Sequence, residues 1–589
     1  MVEAQRLRRS RRIPVFRQRF WWGWLSDSSA AIVPLAITVG AVTGLGAVEF
    51  GELITLFTRM FTGYDDYSGL GRVASAHWPA LDFWFLLLTP VVAGAVYGPI
   101  VHKFAPEARG HGVPEVMYAV AHRRGRIAPQ VTLVKALASA LCIGGGGSVG
   151  REGPIVQIGS AAGSTVAQVL RLPVSRVRLL VACGAAAGIS ATFNAPLAGP
   201  FFAMELILRD FAAQSFGAVV LSSVVADVIG RAMLGDHPFL TLPSFAVHSP
   251  VEYGLYSALG VLAGAVGVLF SKVLYRVEDA CDWAWRGPEW ARPAAGGILL
   301  GAVLVALPQM YGVGYPVLEN AVEGKYLIPM LVVLLVGKML ATSLTIGIGG
   351  SGGVFAPTLF IGAMAGTAFG EIAHRLFPTV TESPGAYGLI GMGAALAGAT
   401  RAPVTAVIIL FELTGQYSII LPLMAAVAVA AGTGHLLPRD TIYTAKLWRR
   451  GIDLDTPHGT LSGLTATDVA RPAPDPLPGD STLQAAAAVL AESSLGMLPV
   501  TDGEGTYQGC VSAEDVAEAL NDDAPPETVH SLIRHPIALD ETADSSKIVG
   551  ALSGRGTAGL PVLNAEHTAV VGWVTYESLL ERLHPAPPS

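Results

Sequence analysis

Apolar stretches recur along the first three quarters of the chain, from Ala30 to Gly434. Clear runs cover 31–50, 83–101, 255–270, 296–307, 327–344, 387–399 and 419–432. About 20 apolar residues cross a bilayer core. Several of these runs are shorter, or are broken by Gly and Pro. The pattern predicts an all-α polytopic membrane domain in which some helices stop partway across. Helix ends at that depth are tolerated only where protein or a water-filled cavity satisfies the freed backbone groups. After Tyr443 the character changes: Lys446, Arg449 and Arg450 follow the last apolar run, and 452–463 reads as a linker. From Leu464 onward the pattern is alternating and soluble in character, predicting a small α/β region.

Composition agrees with lipid exposure. Of 589 residues, 52% are hydrophobic and only 14% charged, where an ordinary soluble domain carries about 25% charge. Mean hydropathy is +0.51. The 68 Gly and 39 Pro exclude a simple bundle of uninterrupted spans, because they interrupt helices and favour close packing. Arg6, Arg8, Arg9, Arg11, Arg12, Arg17 and Arg19 precede the first apolar run. Beside a membrane span such a basic arm places the N-terminus in the cytoplasm, and the positive residues after the last run place the other end there too. The arm does not read as a cleavable signal. Cys142, Cys183, Cys281 and Cys510 show no metal spacing and no disulfide framework. No metal site is expected.

Two internal repeats are visible. In the membrane region Lys135 and Lys338 lie 203 residues apart, and the same offset relates Ser148 to Ser351, Gly150 to Gly353, Pro154 to Pro357, Gly159 to Gly362 and Gly163 to Gly366. Further on, Ala195-Pro196 and Glu205-Leu206 match Ala402-Pro403 and Glu412-Leu413 at an offset of 207. Corresponding broken segments in two halves point to a transporter's binding site. In the tail, Leu498-Pro499-Val500 recurs as Leu560-Pro561-Val562, and Gly509-Cys510-Val511-Ser512 as Gly572-Trp573-Val574-Thr575. The unit is strand, turn, strand, helix, used twice.

Three membrane segments share the form G-x-x-x-P: Gly110-His111-Gly112-Val113-Pro114, Gly150-Arg151-Glu152-Gly153-Pro154 and Gly353-Val354-Phe355-Ala356-Pro357. Pro is favoured at the first helical position, where its missing N–H costs nothing, and Gly lets the backbone bend and an ion approach closely. They read as three helix N-termini, whose unpaired N–H groups and partial positive charge suit an anion without a full cation. Close packing of small residues is the competing explanation for any one of them. Glu152 is the sharpest single residue. A carboxylate at intramembrane depth is costly and usually functional. It can accept the N–H groups that would hold a halide, so it is a tethered competitor that protonation releases. A helix-capping role is the plain alternative.

These segments, in this order, resemble the fingerprints of the CLC family of chloride channels and chloride/proton antiporters. Tyr443, in Asp440-Thr441-Ile442-Tyr443, matches a later tyrosine of that family. The resemblance runs from Ala31 to about Gly451, and the tail resembles a pair of CBS (cystathionine-β-synthase-type) regulatory domains. It implies two inverted repeats with broken helices and a homodimer with one pathway per subunit. The implied site is Glu152 as gating and proton glutamate. His111, Gly112, Val113, Arg151, Gly153, Val354, Phe355 and Tyr443 would line the anion.

Two departures matter. His111 stands where the family usually has Ser; its imidazole either donates to the anion or turns away. Leu206 stands where proton-coupled members often carry an internal acid, which puts coupling in doubt. Glu205 can be a proton or a structural acid, paired with backbone or with Lys135 or Lys338. In the tail, Ser512 and Asp515 fit an adenosine ribose, and a purely structural pair fits them equally; the second copy has Thr575 and Ser578.

The expected organisation is a basic segment 1–30, a transport domain 31–451 with halves of about 31–235 and 251–451, a linker 452–463, and CBS domains 464–524 and 525–589. The expected function is chloride transport gated by Glu152, as a channel or a chloride/proton antiporter. No cofactor is required beyond chloride as substrate, with an adenine nucleotide open at the CBS pair. The setting is the lipid bilayer of the cell (plasma or inner) membrane; protons are the co-substrate left open, and no nucleic acid is expected. The alternative is a CBS-regulated, magnesium-type cation transporter, which should show intramembrane Asp/Glu clusters. A membrane enzyme is not expected, because no metal-ligand spacing or nucleophile–base set occurs in the spans.

Overall fold

Long apolar runs become long helices because lipid offers the backbone no hydrogen bonds of its own. In the computed structural model the described residues are 29–235, 245, 247, 249–436, 440–452, 464–493, 495–522, 525–535, 537–543, 545–552 and 559–583. The basic arm from Arg6 to Arg19 and nearly all of the linker lie outside them. Among the described residues nine helices are long and apolar enough to cross a membrane: Ile32–Thr62, Pro79–Phe104, Val174–Phe193, Ser215–Leu234, Glu252–Ala284, Glu289–Ala306, Ile328–Gly347, Phe355–Leu376 and Tyr417–Leu436.

Three of these, 174–193, 215–234 and 355–376, are not among the clear apolar runs. They are rich in Ala, Gly, Ser and Thr, which carry little hydropathy but let helices approach closely. The run 387–399 sits instead in a helix, Pro384–Thr400, that is buried from Gly385 to Thr400.

The two halves use equivalent helices. The first half supplies α1 (Val113–His122), α2 (Gln130–Gly144), α3 (Glu152–Val169), α4 (Val174–Phe193) and α5 (Ala198–Phe202). The second half supplies their mates α6 (Tyr315–Val322), α7 (Ile328–Gly347), α8 (Phe355–Leu376), α9 (Pro384–Thr400) and α10 (Pro403–Thr414). The short α11 (Thr444–Trp448) follows. α3 crosses α4 at Gly159 and Gly184, and α8 crosses α9 at Gly362 and Gly391. In both pairs a methyl on either glycine would strike the other's carbonyl.

A local two-fold axis relates the halves. The repeat mates Gly150 and Gly353 pair antiparallel and exchange both N–H···O bonds, at 2.7 and 2.6 Å. Farther out the exchange is made by side chains. Glu205 accepts from the N–H groups of Val404 and Thr405 (3.2 and 2.8 Å) and from the Thr405 hydroxyl (2.6 Å), at the start of α10. Its mate Glu412 accepts from Leu197 and Ala198 (2.9 and 2.6 Å), at the start of α5. Each half caps a helix of the other, as a two-fold relation between the halves requires.

The membrane unit ends at Ile452, and Asp453–Ser589 form a second unit. Here β1 (Leu477–Pro478), β2 (Met497–Thr501) and β3 (Tyr507–Ser512) make one sheet, and β4 (Leu539–Asp540), β5 (Leu560–Leu563) and β6 (Val570–Val574) the other. In each the first pair is parallel and the second antiparallel, with Leu498 opposite Val511 and Leu560 opposite Val574. The lobes exchange leading segments. Ala466 and Val469 pack in the core of the second lobe, and Arg471 pairs with Trp573. Val529 packs in the core of the first lobe, and Arg534 pairs with Cys510.

Candidate functional site

The G-x-x-x-P segments fold as helix starts and meet. α1 begins after Gly112, with Pro114 in its first turn; α3 begins at Glu152 and α8 at Phe355. Gly110 pairs with Ser351 while Gly150 pairs with Gly353, which zips the three entry strands together. Gly112 has φ +79°, and a Cβ there would lie 2.8 Å from the Gly153 carbonyl oxygen. A Cβ on Gly353 would lie 2.7 Å from the Gly153 nitrogen. Only glycine permits backbone to touch backbone at these points.

The junction is pinned by a buried cation. The Lys135 ammonium, with no solvent exposure, donates to the carbonyls of Ala108 and Gly110 at 2.9 and 2.7 Å. The Ser351 hydroxyl donates to Ala108 at 2.7 Å. These bonds fix the segment that carries His111.

Several donors at this junction have nothing to bind. Among the described residues the N–H groups of Val354 and Phe355 have no acceptor within the chain. Both ring nitrogens of His111, one of them a donor in the neutral ring, are buried without a partner. The Tyr443 side chain is buried, its ring lies 6.2 Å from that of His111, and no hydrogen bond reaches its hydroxyl among the described residues. Buried polar groups are normally satisfied, so a cluster of orphaned donors marks a place for an acceptor. The surrounding charge fits an anion: Lys135, Lys446 and Arg450 all act on His111 electrostatically. Lys446 and Arg450 share Glu115, at 3.6 and 2.8 Å. Phe355 packs its ring against Phe193 and Phe202, centroids 5.9 and 6.5 Å apart, leaving its backbone to face the junction.

Glu152, 1% exposed, reaches across to the mate helix. Its Oε2 lies 3.4 Å from the Ala356 N–H in the first turn of α8, and its Oε1 accepts from the Tyr315 hydroxyl at 2.7 Å. The carboxylate therefore sits at the N-terminus of α8, beside the orphaned N–H groups of Val354 and Phe355. Arg151 donates to the Thr192 carbonyl at 3.2 Å and lies over the Tyr315 ring, 5.6 Å from its centroid.

Tyr315 has no place in the three-segment sequence reading, although a signal was present. Gly312-Val313-Gly314-Tyr315-Pro316 repeats the α1 segment at an offset of 202. Gly314, at φ +91°, caps α6 as Gly112 caps α1. Lys338 donates to Gly312 and Val313 at 3.0 and 2.8 Å, as Lys135 does to Ala108 and Gly110.

Other candidate residues lie apart from this junction or are spent. Glu205 and Glu412 bind backbone N–H groups as described, not Lys135 or Lys338, whose ammonium groups bind carbonyls. Leu206 is buried in a single π-helical segment, Ala203–Leu208. In the tail, Ser512 and Asp515 form a helix cap: Asp515 N–H donates to Ser512 Oγ at 3.0 Å, and that hydroxyl donates to the carboxylate at 2.6 Å. The other carboxylate oxygen takes Arg534 at 2.5 Å. Thr575 and Ser578 cap one another in the second lobe, at 3.0 and 3.1 Å.

Comparison with known proteins finds relatives of both the membrane unit and the tail. The profile of the voltage gated chloride channel family matches residues 93–435, and that of the CBS domain matches 466–522. An H(+)/Cl(-) exchange transporter, ClcA of Vibrio parahaemolyticus, is 36% identical over 427 residues, covering 71% of this chain and 90% of that protein. A ClcB-like chloride channel protein of Ralstonia nicotianae is 34% identical over 426 residues, covering 72% and 98%. The crystal structure of a slow cyanobacterial Cl-/H+ antiporter superposes with a TM-score of 0.63 at 26% identity, covering 71% of this chain and 97% of that one.

Proposed function

Because this chain belongs to the CLC family of voltage gated chloride channels and carries a CBS-type tail, we propose that it moves chloride across a membrane through a pathway gated by Glu152. One observation carries the reading: the Glu152 carboxylate lies at the start of α8 among donors that have no other acceptor. A chloride ion takes the N–H groups of Val354 and Phe355 and the Tyr443 hydroxyl, with His111 turned to donate. Gly112, Val113, Arg151 and Gly153 frame the place. The ionised carboxylate competes for the same helix terminus; protonation removes its charge and frees the pathway. Helix dipoles and neutral donors hold the halide loosely enough to release it.

The protein acts as a homodimer with one pathway per subunit. Both termini lie in the cytoplasm and the membrane is the cell's inner one; Lys446, Arg449 and Arg450 after the last span support that orientation. Glu205 is a structural acid. Adenine-nucleotide binding at Ser512 and Asp515 requires Arg534 to release its carboxylate. A magnesium-type cation transporter is disfavoured, since Glu205 and Glu412 are both committed to backbone.

Chloride efflux from proteoliposomes tests the gate. Wild-type flux is expected to rise as pH falls, and Glu152→Gln to give flux that is high and independent of pH. A pH response that survives Glu152→Gln overturns the assignment. The reversal potential under opposed chloride and proton gradients separates the two modes. A value fixed by chloride alone is a channel, consistent with Leu206, and a value that moves with the proton gradient is exchange.

A further inference from the structure

The shorter of the two hydrogen bonds to the Glu152 carboxylate comes from a side chain of the opposite half, 2.7 Å from the Tyr315 hydroxyl against 3.4 Å from the Ala356 N–H. Tyr315 is held for this contact. Gly314 in the left-handed region starts α6 directly before it, Lys338 pins the two carbonyls ahead of that glycine, and Arg151 covers its ring. We propose that Tyr315 is a positioning residue that latches the ionised Glu152 in the anion's place, so that α6 sets how readily the gate opens. The inference rests on the gating role of Glu152.

The chemistry is a charge-assisted hydrogen bond in a site shielded from water, the stronger class of such bonds. The phenol has one proton to give, and a carboxylate takes it better than a neutral carboxylic acid does. The latch therefore favours the ionised, blocking form. The other groups that act on Glu152 are Arg151 on its own helix start, Lys338 from α7, and Tyr443 before α11. Arg151 also hydrogen-bonds the phenolic oxygen and loses that bond with it, whereas Lys338 and Tyr443 are unaltered by its removal.

The test is Tyr315→Phe, which keeps the ring and deletes the donor, with chloride efflux from proteoliposomes measured from pH 4 to 8. Without the latch the carboxylate protonates at higher pH and leaves the helix start more easily. The pH of half-maximal flux is expected to rise by about one unit, a tenfold change in proton concentration for one charge-assisted bond, and flux at neutral pH to rise with it. Replacing Tyr315 by 3-fluorotyrosine, a stronger donor of nearly the same size, is expected to move the midpoint down. In a Glu152→Gln background, Tyr315→Phe is expected to change nothing. The proposal is overturned if Tyr315→Phe scales flux equally at every pH, or if its effect persists in Glu152→Gln. A failure of the gating reading is distinct: it shows in Glu152→Gln alone.

Discussion

The starts of α1 and α6 are repeat mates with one backbone design and different tasks. Both follow a G-x-G-x-P segment, both are capped by a glycine at positive φ, and both have a buried lysine holding the preceding carbonyls. At α1 the design presents His111, whose ring nitrogens have no partner. At α6 it presents Tyr315, whose hydroxyl is committed to Glu152. Duplication supplied a symmetric frame, and a few side chains divided it into a half that receives the anion and a half that holds the gate.

The sharpest way to break this comparison is at its axis. Gly353 and Gly150 face one another as mates, yet an added methyl meets different things. At Gly353 it meets Gly153 backbone at 2.7 Å, which cannot yield. Gly353→Ala is expected to cost about 3 kcal/mol or to prevent folding, read as loss of the monodisperse peak in size-exclusion chromatography. At Gly150 the methyl meets the end of the flexible Glu152 side chain. Gly150→Ala is expected to fold and to raise chloride flux at neutral pH, because the carboxyl is pushed from the α8 start. Equal outcomes at the two positions would remove the division of labour.

A milder test uses the exchanged caps, where symmetry should hold. Glu205→Gln and Glu412→Gln each keep one acceptor and lose the charge at a helix N-terminus, a loss of about 1 kcal/mol. Both are expected to lower the thermal midpoint by similar amounts and to leave the pH profile of flux unchanged. A shifted profile in Glu205→Gln alone would make that residue part of the proton path.

The smallest effect is expected in the tail, where Cys510 and Trp573 are repeat mates, each 1% exposed. Burial pushes the Cys510 thiol up to about 11. An acid whose ionisation is raised this far has under about one thiolate in a thousand at pH 7.5. Maleimide labelling of Cys510 is expected to be negligible in the native tail, to climb as pH approaches 11, and to become fast in urea. Prompt native labelling at pH 7.5 would show that the first lobe lacks the closed packing of the second.

The chain pattern by itself determined the membrane class, the two repeats, the three G-x-x-x-P segments as helix starts, and Glu152 as the residue to watch, while the structure begins α3 and α8 two residues before the proline expected to open them. Those features are local: composition, Pro and Gly placement and matched offsets do not depend on what lies across the fold. Small-residue helices such as 174–193 were harder to see, since they are apolar through close packing rather than through hydropathy. Pairings across the axis required the tertiary structure. Glu205 and Glu412 read in sequence as repeat mates and structural acids, with a proton role open for Glu205 and the partner open between backbone and a buried lysine, and only their placement at each other's helix starts assigns their hydrogen bonds. Glu152 opens α3 in the chain but reaches to α8, and Tyr315, 163 residues away, meets it there. A hydrogen bond is decided by distance and angle between groups brought together from afar, and neither is written in the order of residues along one strand of chain.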